Sequence, residues 1–219
     1  TYLEASLIDD KIDVSVTGNA GKINGRSVQS IAPILQSEIN WSVDGIYNLS
    51  ETTAQLEQLA LSNDHFEIRA GGSLDASVGE LNAEIKAIRV DLSKISSALN
   101  LDQAISGAAS FNINAARPHK TAPLIIDATA STKELTLSNL MANELLGNSP
   151  SLKVSIKRTS EGMIELDNLN VDADFVALKA SALLSEQQII DKGEFRIDFS
   201  ELENIKTLSG TSLEGSIAI

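Results

Sequence analysis

The stretch LNAEIKAIRVD, residues 81–91, alternates apolar and polar side chains, as a β-strand with one apolar face does. Successive side chains of a strand point to opposite sides, so the odd-numbered Leu81 and Ile85 share one face. Ile88 breaks this parity, and a β-bulge near Ala87 would restore it. The stretch therefore predicts a long strand, covered on one face only and interrupted by one bulge.

The same alternation with a period of two recurs along the chain. Its clearest apolar positions are Ile12/Val14/Val16, Ile39/Trp41/Val43, Phe66/Ile68/Ala70, Phe111/Ile113/Ala115, Leu152/Val154/Ile156, Leu178/Ala180/Ala182 and Phe195/Ile197/Phe199. Glycine and asparagine residues at Gly18–Gly21 and Asn24–Gly25 predict turns near the beginning. The sequence predicts an all-β protein built from many one-faced strands.

Two short stretches have helical spacing instead. In residues 91–99, Asp91 is placed to cap a helix with apolar residues three or four positions apart. Residues 198–206 repeat the pattern behind Asp198. The sequence predicts one or two short helices at these places and strands elsewhere.

The two capped stretches belong to a longer internal repeat. The segment IRVDLS at 88–93 matches FRIDFS at 195–200, and leucines in 56–61 match apolar residues in 166–171. We expect residues 1–219 to form a single repeat-built β module, with approximate units 37–113 and 151–219. Strand-like patterns at both ends predict that the module is a fragment of a longer protein.

Composition excludes several classes of function. The net charge of −13 disfavours a phosphate backbone as partner, so we expect no nucleic acid. There are no cysteines, which excludes disulfides and thiolate metal sites. No segment approaches the ~20 apolar residues of a membrane span.

Residues that carry chemistry are also sparse. His65 and His119 are far apart in sequence, and His65 is interpreted as a surface residue of a strand. Asp172 and Asp174 alternate with apolar residues, which is typical of a solvated strand face and not of a calcium loop. No phosphate loop or nucleophile elbow occurs. We therefore expect no enzymatic activity, no cofactor and no metal.

The repeated order of strand, Asp-apolar-Ser, short helix, glycine and strand, at 88–113 and 195–219, resembles the TamB and AsmA-like family of Gram-negative envelope proteins. The resemblance implies an elongated, curved β-sheet, a half-pipe or β-taco with a solenoid-like build and an apolar inner face. It also implies a periplasmic segment of a protein anchored in the inner membrane and reaching the outer membrane. The implied roles are phospholipid transport between the two membranes, or assembly of outer-membrane proteins such as autotransporters with a TamA-type barrel.

The apolar parity of the clearest strands gives a set of candidate groove residues. They are Phe66, Ile68, Ile85, Val154, Ile156, Phe195 and Ile197. We expect them to contact phospholipid acyl chains or, in the second hypothesis, apolar strands of outer-membrane proteins. Two alternatives stay open at this point: the same alternation is compatible with a closed sandwich core, or with a structural β-solenoid stalk such as part of an adhesin.

Overall fold

The computed structural model describes residues 2–21, 37–99, 101, 104–186 and 189–200. Within these ranges the chain forms twelve strands and two helices. The strands are β1 Tyr2–Ile8, β2 Lys11–Ala20, β3 Ile39–Asn48, β4 Thr53–Ser62, β5 Phe66–Asp75, β6 Glu80–Asp91, β7 Ile105–Arg117, β8 Leu124–Leu137, β9 Ser151–Arg158, β10 Ile164–Asp172, β11 Val176–Leu184 and β12 Ile190–Phe199. The helices are α1 Leu92–Ala98, between β6 and β7, and α2 Leu140–Leu146, between β8 and β9.

All twelve strands belong to one antiparallel sheet, and their order in space is their order in sequence. The sheet is curved and unclosed. The predicted fold class is therefore confirmed: an elongated half-pipe of strands with an apolar inner face and two short helices. A closed sandwich, the alternative that the same alternation allowed, is not formed by the described strands.

Both helices lie at one end of the strands, which we call the helix edge. Tight connections at 63–65 and 173–175 lie at the same edge, and the lysine of α1, Lys94, donates from Nζ to the Asp64 carbonyl oxygen over 3.0 Å. The opposite end carries the turns that join β1 to β2, β3 to β4 and the later odd strands to their successors; we call it the turn edge.

Helix α1 begins where the sequence predicts it. The Asp91 Oδ1 atom accepts hydrogen bonds from the backbone N–H groups of Ser93 and Lys94, both over 3.1 Å. These are donors that the first turn of a helix leaves unsatisfied. Helix α2 was not predicted, although Asn139 caps its start and Gly147 follows its end, at a φ of 63°.

Two other local predictions differ from the structure, and a third lies outside the described residues. Asp198 and Phe199 are the last residues of β12, so no helix begins behind Asp198, and residues 201–206 lie outside the described part of the chain. The predicted turn at Gly18–Gly21 is wrong for Gly18 to Ala20, which continue β2 opposite Trp41 to Ile39. The Asn24–Gly25 turn and the end of the second repeat unit, 201–219, also lie outside the described residues.

The bulge predicted near Ala87 is confirmed. Glu67 pairs with Arg89 but Ile68 pairs with Ala87, so Ile88 is the extra residue. The bulge keeps Ala87 and Val90 on the apolar face, opposite Ile68 and Phe66, although they are three positions apart.

Very little of the molecule is fully buried. The buried apolar residues of the described chain are Ile39, Phe66, Ala87, Ala122 and Leu135. A sheet of this size would normally bury its apolar face against a second layer. Here no described element covers most of that face.

Candidate functional site: an uncovered apolar face

One row of directly paired residues crosses all twelve strands and is apolar throughout. In strand order it runs Leu3, Val16, Val43, Leu59, Ala70, Ile85, Ile113, Ala128, Val154, Leu169, Ala180 and Phe195. Paired residues of neighbouring strands lie on the same face of a sheet. This middle row therefore defines a single apolar face that is continuous from the first strand to the last.

Two parallel rows extend this face on either side. Nearer the turn edge, the second row runs Ala5, Val14, Gly45, Leu56, Gly72, Ala83, Ala115, Ile126, Ile156, Leu166, Ala182 and Gly193. Nearer the helix edge, the third row runs from β2 to β12 as Gly18, Trp41, Leu61, Ile68, Ala87, Phe111, Ala130, Leu152, Val171, Leu178 and Ile197. None of these three rows contains a charged residue.

The seven candidate groove residues all lie on this apolar face. Ile85, Val154 and Phe195 belong to the middle row, Ile156 to the second, and Ile68 and Ile197 to the third. Phe66 lies beyond the third row, opposite Val90, at the helix edge. The structure thus places the whole set on one side of one sheet, spread from β5 to β12 and not gathered in a single pocket.

Exposure along the face is uneven. Ile85 is 41% exposed and Phe195 62%, whereas Phe66 is 9% and Ala87 1% exposed. The buried pair lies close to the helix edge, where α1 contacts β6 and β7. Phe66 is consequently a packed residue beside the helix and is not open to a ligand, in contrast to the other six candidates.

The opposite face is mainly polar and holds the ion pairs. The four ion pairs of the described residues are Arg69–Glu67, Lys86–Glu84, Lys157–Glu165 and Arg196–Asp198, at nitrogen–oxygen distances of 2.9, 3.6, 3.2 and 2.8 Å. Every one of these residues has the polar parity of its strand. The Arg196 guanidinium, by hydrogen bonding and by its charge, lowers the pKa of the Asp198 carboxyl group. Charge is therefore segregated from the apolar face.

A fourth row, at the turn edge of the apolar face, contains the exceptions. Arg117 of β7 lies opposite Leu81, and Arg158 of β9 lies opposite Leu124 and Ile164. Among the paired residues of the described apolar face, these two are the only charged ones. Sequence reasoning missed them because their alignment depends on the register of four strands.

Bulges keep the rows in phase. Glu57 in β4 and Asp167 in β10 are extra residues between two leucines that would otherwise face opposite ways. The two bulges occupy matching positions of the sequence repeat, which relates 56–61 to 166–171. Both copies of the repeat therefore contain a β-bulge at the same position.

Groups that could perform catalysis are few in the described residues. They contain no cluster of three or more histidine, cysteine, aspartate or glutamate side chains that could hold a metal ion. His65 lies in the 63–65 connection and not in a strand, and its Nδ1 atom is buried without a hydrogen-bond partner there, which corrects the surface-strand interpretation. A shallow depression of about 420 Å³ spans β6 to β9 and is lined by both polar and apolar residues, among them Lys86, Lys153, Phe111 and Leu152.

In the part of the chain that the structure describes, no helix has the length and apolar character needed to cross a membrane. Comparison of the chain with protein-family models, with curated proteins and with solved structures gives no match.

Proposed function

We propose that the chain binds phospholipid acyl chains along its apolar face and passes them across the periplasm, as the resemblance to the TamB and AsmA-like family implies. In this proposal it is a segment of an inner-membrane-anchored protein that reaches the outer membrane. The chain acts as a non-enzymatic surface, without cofactor or metal.

The observation that carries the proposal is the continuity of the three apolar rows across the sheet. Eleven strand spacings of ~4.8 Å make a face roughly 50 Å across, and three rows about 7 Å apart make it roughly 14 Å wide. Soluble monomers rarely expose apolar patches above a few hundred Å², and larger ones are usually interaction sites. An apolar patch on the order of 700 Å² is therefore a strong argument for a hydrophobic partner.

The chemistry of the face suits flexible hydrocarbon. Each methylene group removed from water contributes about 0.8 kcal/mol, and aliphatic side chains provide no directional contacts that would hold an acyl chain at one place. Backbone donors and acceptors are satisfied between strands, so the inner surface offers side chains alone. An acyl chain that is bound by the hydrophobic effect alone, without directional contacts, can move along the row.

Mass spectrometry of lipid extracted from the purified chain tests the proposal. We expect phospholipid to accompany the protein through purification in amounts comparable to the protein. The wild-type chain is compared with a variant in which Ile85 and Ile197 are replaced by serine. This variant should stay folded and retain clearly less lipid. A wild-type chain purified free of phospholipid, and unable to take it up from vesicles, would contradict the proposal.

A second candidate function is a scaffold for outer-membrane protein strands, acting with a TamA-type barrel. The observation that favours it is the edge of β1, whose seven residues are all exposed and which, among the described strands, pairs with β2 alone. An open strand edge is a template for another strand. Recovery of a barrel protein or a nascent outer-membrane protein with the wild-type chain, lost when β1 is removed, would support this role over lipid transport.

A further inference from the structure

Arg117 and Arg158 stand out because they are cations at the border of an otherwise uncharged surface. Arg117 is partly buried, and its Nε atom donates to the Gly79 carbonyl oxygen over 3.1 Å. Arg158 is exposed, and its side chain makes no hydrogen bond or ion pair with the described residues. Neither guanidinium pairs with a carboxylate there, although the chain as a whole has a net charge of −13.

The two arginines flank the end of one strand. They lie on β7 and β9, on either side of β8, which separates them by about 10 Å, or two strand spacings. Arg117 is held by Gly79 on the β6 side of β7, so its side chain must leave that hydrogen bond to converge with Arg158 over Leu124, the residue between them. Two like charges at this separation repel each other, and an anion placed between them would be attracted by both.

Farther along β8, toward the helix edge, small residues make a short apolar furrow, which Leu124 and Ile126 separate from the arginine pair. Along β8 the next apolar-face residues after Ile126 are Ala128 and Ala130, whose partners are larger: Ile113 and Val154, then Phe111 and Leu152. From Arg117 to Phe111 is six residues, or roughly 20 Å of strand. Half of a bilayer's hydrocarbon thickness is about 15 Å, so the apolar face between Arg117 and Phe111 is long enough for an acyl chain.

We propose that Arg117 and Arg158 bind the phosphate-bearing head of an anionic phospholipid whose acyl chains lie along β7, β8 and β9 on the apolar face. The inference rests on the proposed function and deepens it, because it assigns an orientation and a headgroup preference to the lipid. The head lies at the turn edge and the chain ends point to the helix edge. Guanidinium groups suit this task, since their donors match the geometry of phosphate oxygens.

The test uses vesicles made of equal amounts of phosphatidylglycerol and phosphatidylcholine. The chain is incubated with them and re-isolated, and both bound lipids are quantified by mass spectrometry. The wild-type chain should carry about thirtyfold more phosphatidylglycerol than phosphatidylcholine, the scale expected from two basic residues near an anionic lipid. The double variant R117Q/R158Q should carry similar total lipid with a ratio near one, and R117K/R158K should keep most of the preference.

The matched control is K133Q/K153Q, which removes the same charge from the polar face of β8 and β9. It should leave the lipid ratio unchanged, and circular dichroism and protease resistance should be the same for all variants. Binding of inorganic phosphate by the lipid-free chain, abolished in R117Q/R158Q, would make this a free-anion site and overturn the headgroup assignment.

The remaining outcomes separate the two proposals. Lipid on the wild-type chain without headgroup preference, or a preference that survives in R117Q/R158Q, overturns the arginine site and leaves the proposed function standing. No lipid on the wild-type chain overturns both.

Discussion

Leu56 and Leu59 lie on the same face of β4, although an odd separation along a strand normally places two side chains on opposite faces. Leu56 pairs with Gly45 and Leu59 with Val43, so Glu57 is accommodated as a bulge. Without this device the second and middle apolar rows would not both continue through β4. The continuity of the apolar face thus depends on how single extra residues are accommodated as much as on the alternation.

Deletion of Glu57 tests this account of the bulge. Without the extra residue Leu56 and Leu59 are two positions apart, so a regular strand keeps both on the apolar face opposite Gly45 and Val43, and we expect the free energy of unfolding to stay within about 1 kcal/mol of the wild type. Urea unfolding followed by circular dichroism measures the change. The control Glu57→Ser keeps the bulge and should stay within about 0.5 kcal/mol of the wild type. A loss of about 2 kcal/mol or more in the deletion variant would contradict the account of Glu57 as an extra residue that the pairing of β4 does not need.

A charge placed in the middle row should impair lipid binding. Because an arginine costs about 2.5–3.5 kcal/mol amid hydrocarbon, we expect Ile85→Arg to reduce the phospholipid recovered with the chain about tenfold or more. Glu84→Arg, one residue along β6 on the polar face, introduces the same side chain and should leave recovery unchanged. Strand content and protease resistance must match in both variants. Full lipid recovery with a folded Ile85→Arg variant would argue that lipid does not occupy this face.

The Asp91 cap gives a prediction about pH. Hydrogen bonds from the Ser93 hydroxyl and the Lys94 backbone N–H lower the pKa of the Asp91 carboxyl group from its ordinary value of 3.8. A carboxyl group whose pKa is lowered by folding stabilises the folded state above pH 3.8, and this contribution is lost as the pH falls through the lower folded pKa. A carboxyl NMR titration should therefore give Asp91 a midpoint below 3.8.

The same cap can be removed by substitution. Asp91→Ala should cost about 1 kcal/mol of stability at neutral pH, because two N–H donors of α1 lose their acceptor. Asp91→Asn retains an acceptor and should recover most of the loss. An Asp91→Ala variant with the same free energy of unfolding as the wild type would mean that α1 contributes little to the stability of the sheet.

The free edge of β1 predicts self-association. Leu3 and Leu7 are 67% and 68% exposed on a strand that has β2 as its one neighbour in the described sheet. We expect size-exclusion chromatography with light scattering to show a mass that rises with concentration, and L3K/L7K to reduce it, since lysine protects strand edges. Val78→Lys, in the β5–β6 turn, is the control. A strict monomer over a wide concentration range would contradict an adhesive edge; the second edge that the sequence predicts, near Ser216–Ile219, lies outside the described residues.

The sequence predicts the strands well, because every strand of a sheet with one apolar face alternates apolar and polar residues. The alternation at 81–91, its break at Ile88 and the Asp91 cap are all local signals, and all three correspond to observed features. The sequence also predicts in part that the apolar face is uncovered. It shows no second set of apolar strands or helices that could pack against this face.

Three features could not be read from the alternation. Helix α2 carries exposed Leu140 and Met141 among its apolar residues, so its spacing gives no clear one-sided pattern, and only its caps mark it. The connection at 173–175 interrupts an alternation that continues unbroken in sequence. The position of Arg117 and Arg158 in one end row depends on pairing registers that turns and bulges set together, which no single strand encodes.

Photo-crosslinking by face parity tests the central claim most directly. A photoreactive amino acid is placed in turn at Ile85 and Ile197, on the apolar face, and at Glu84 and Arg196, one residue along the same strands on the polar face. After irradiation in cells, mass spectrometry of the purified chain should find phospholipid attached at Ile85 and Ile197 and little at Glu84 and Arg196. Equal capture from both faces, or capture of lipid from neither, would contradict the account of the apolar face as a path for lipid.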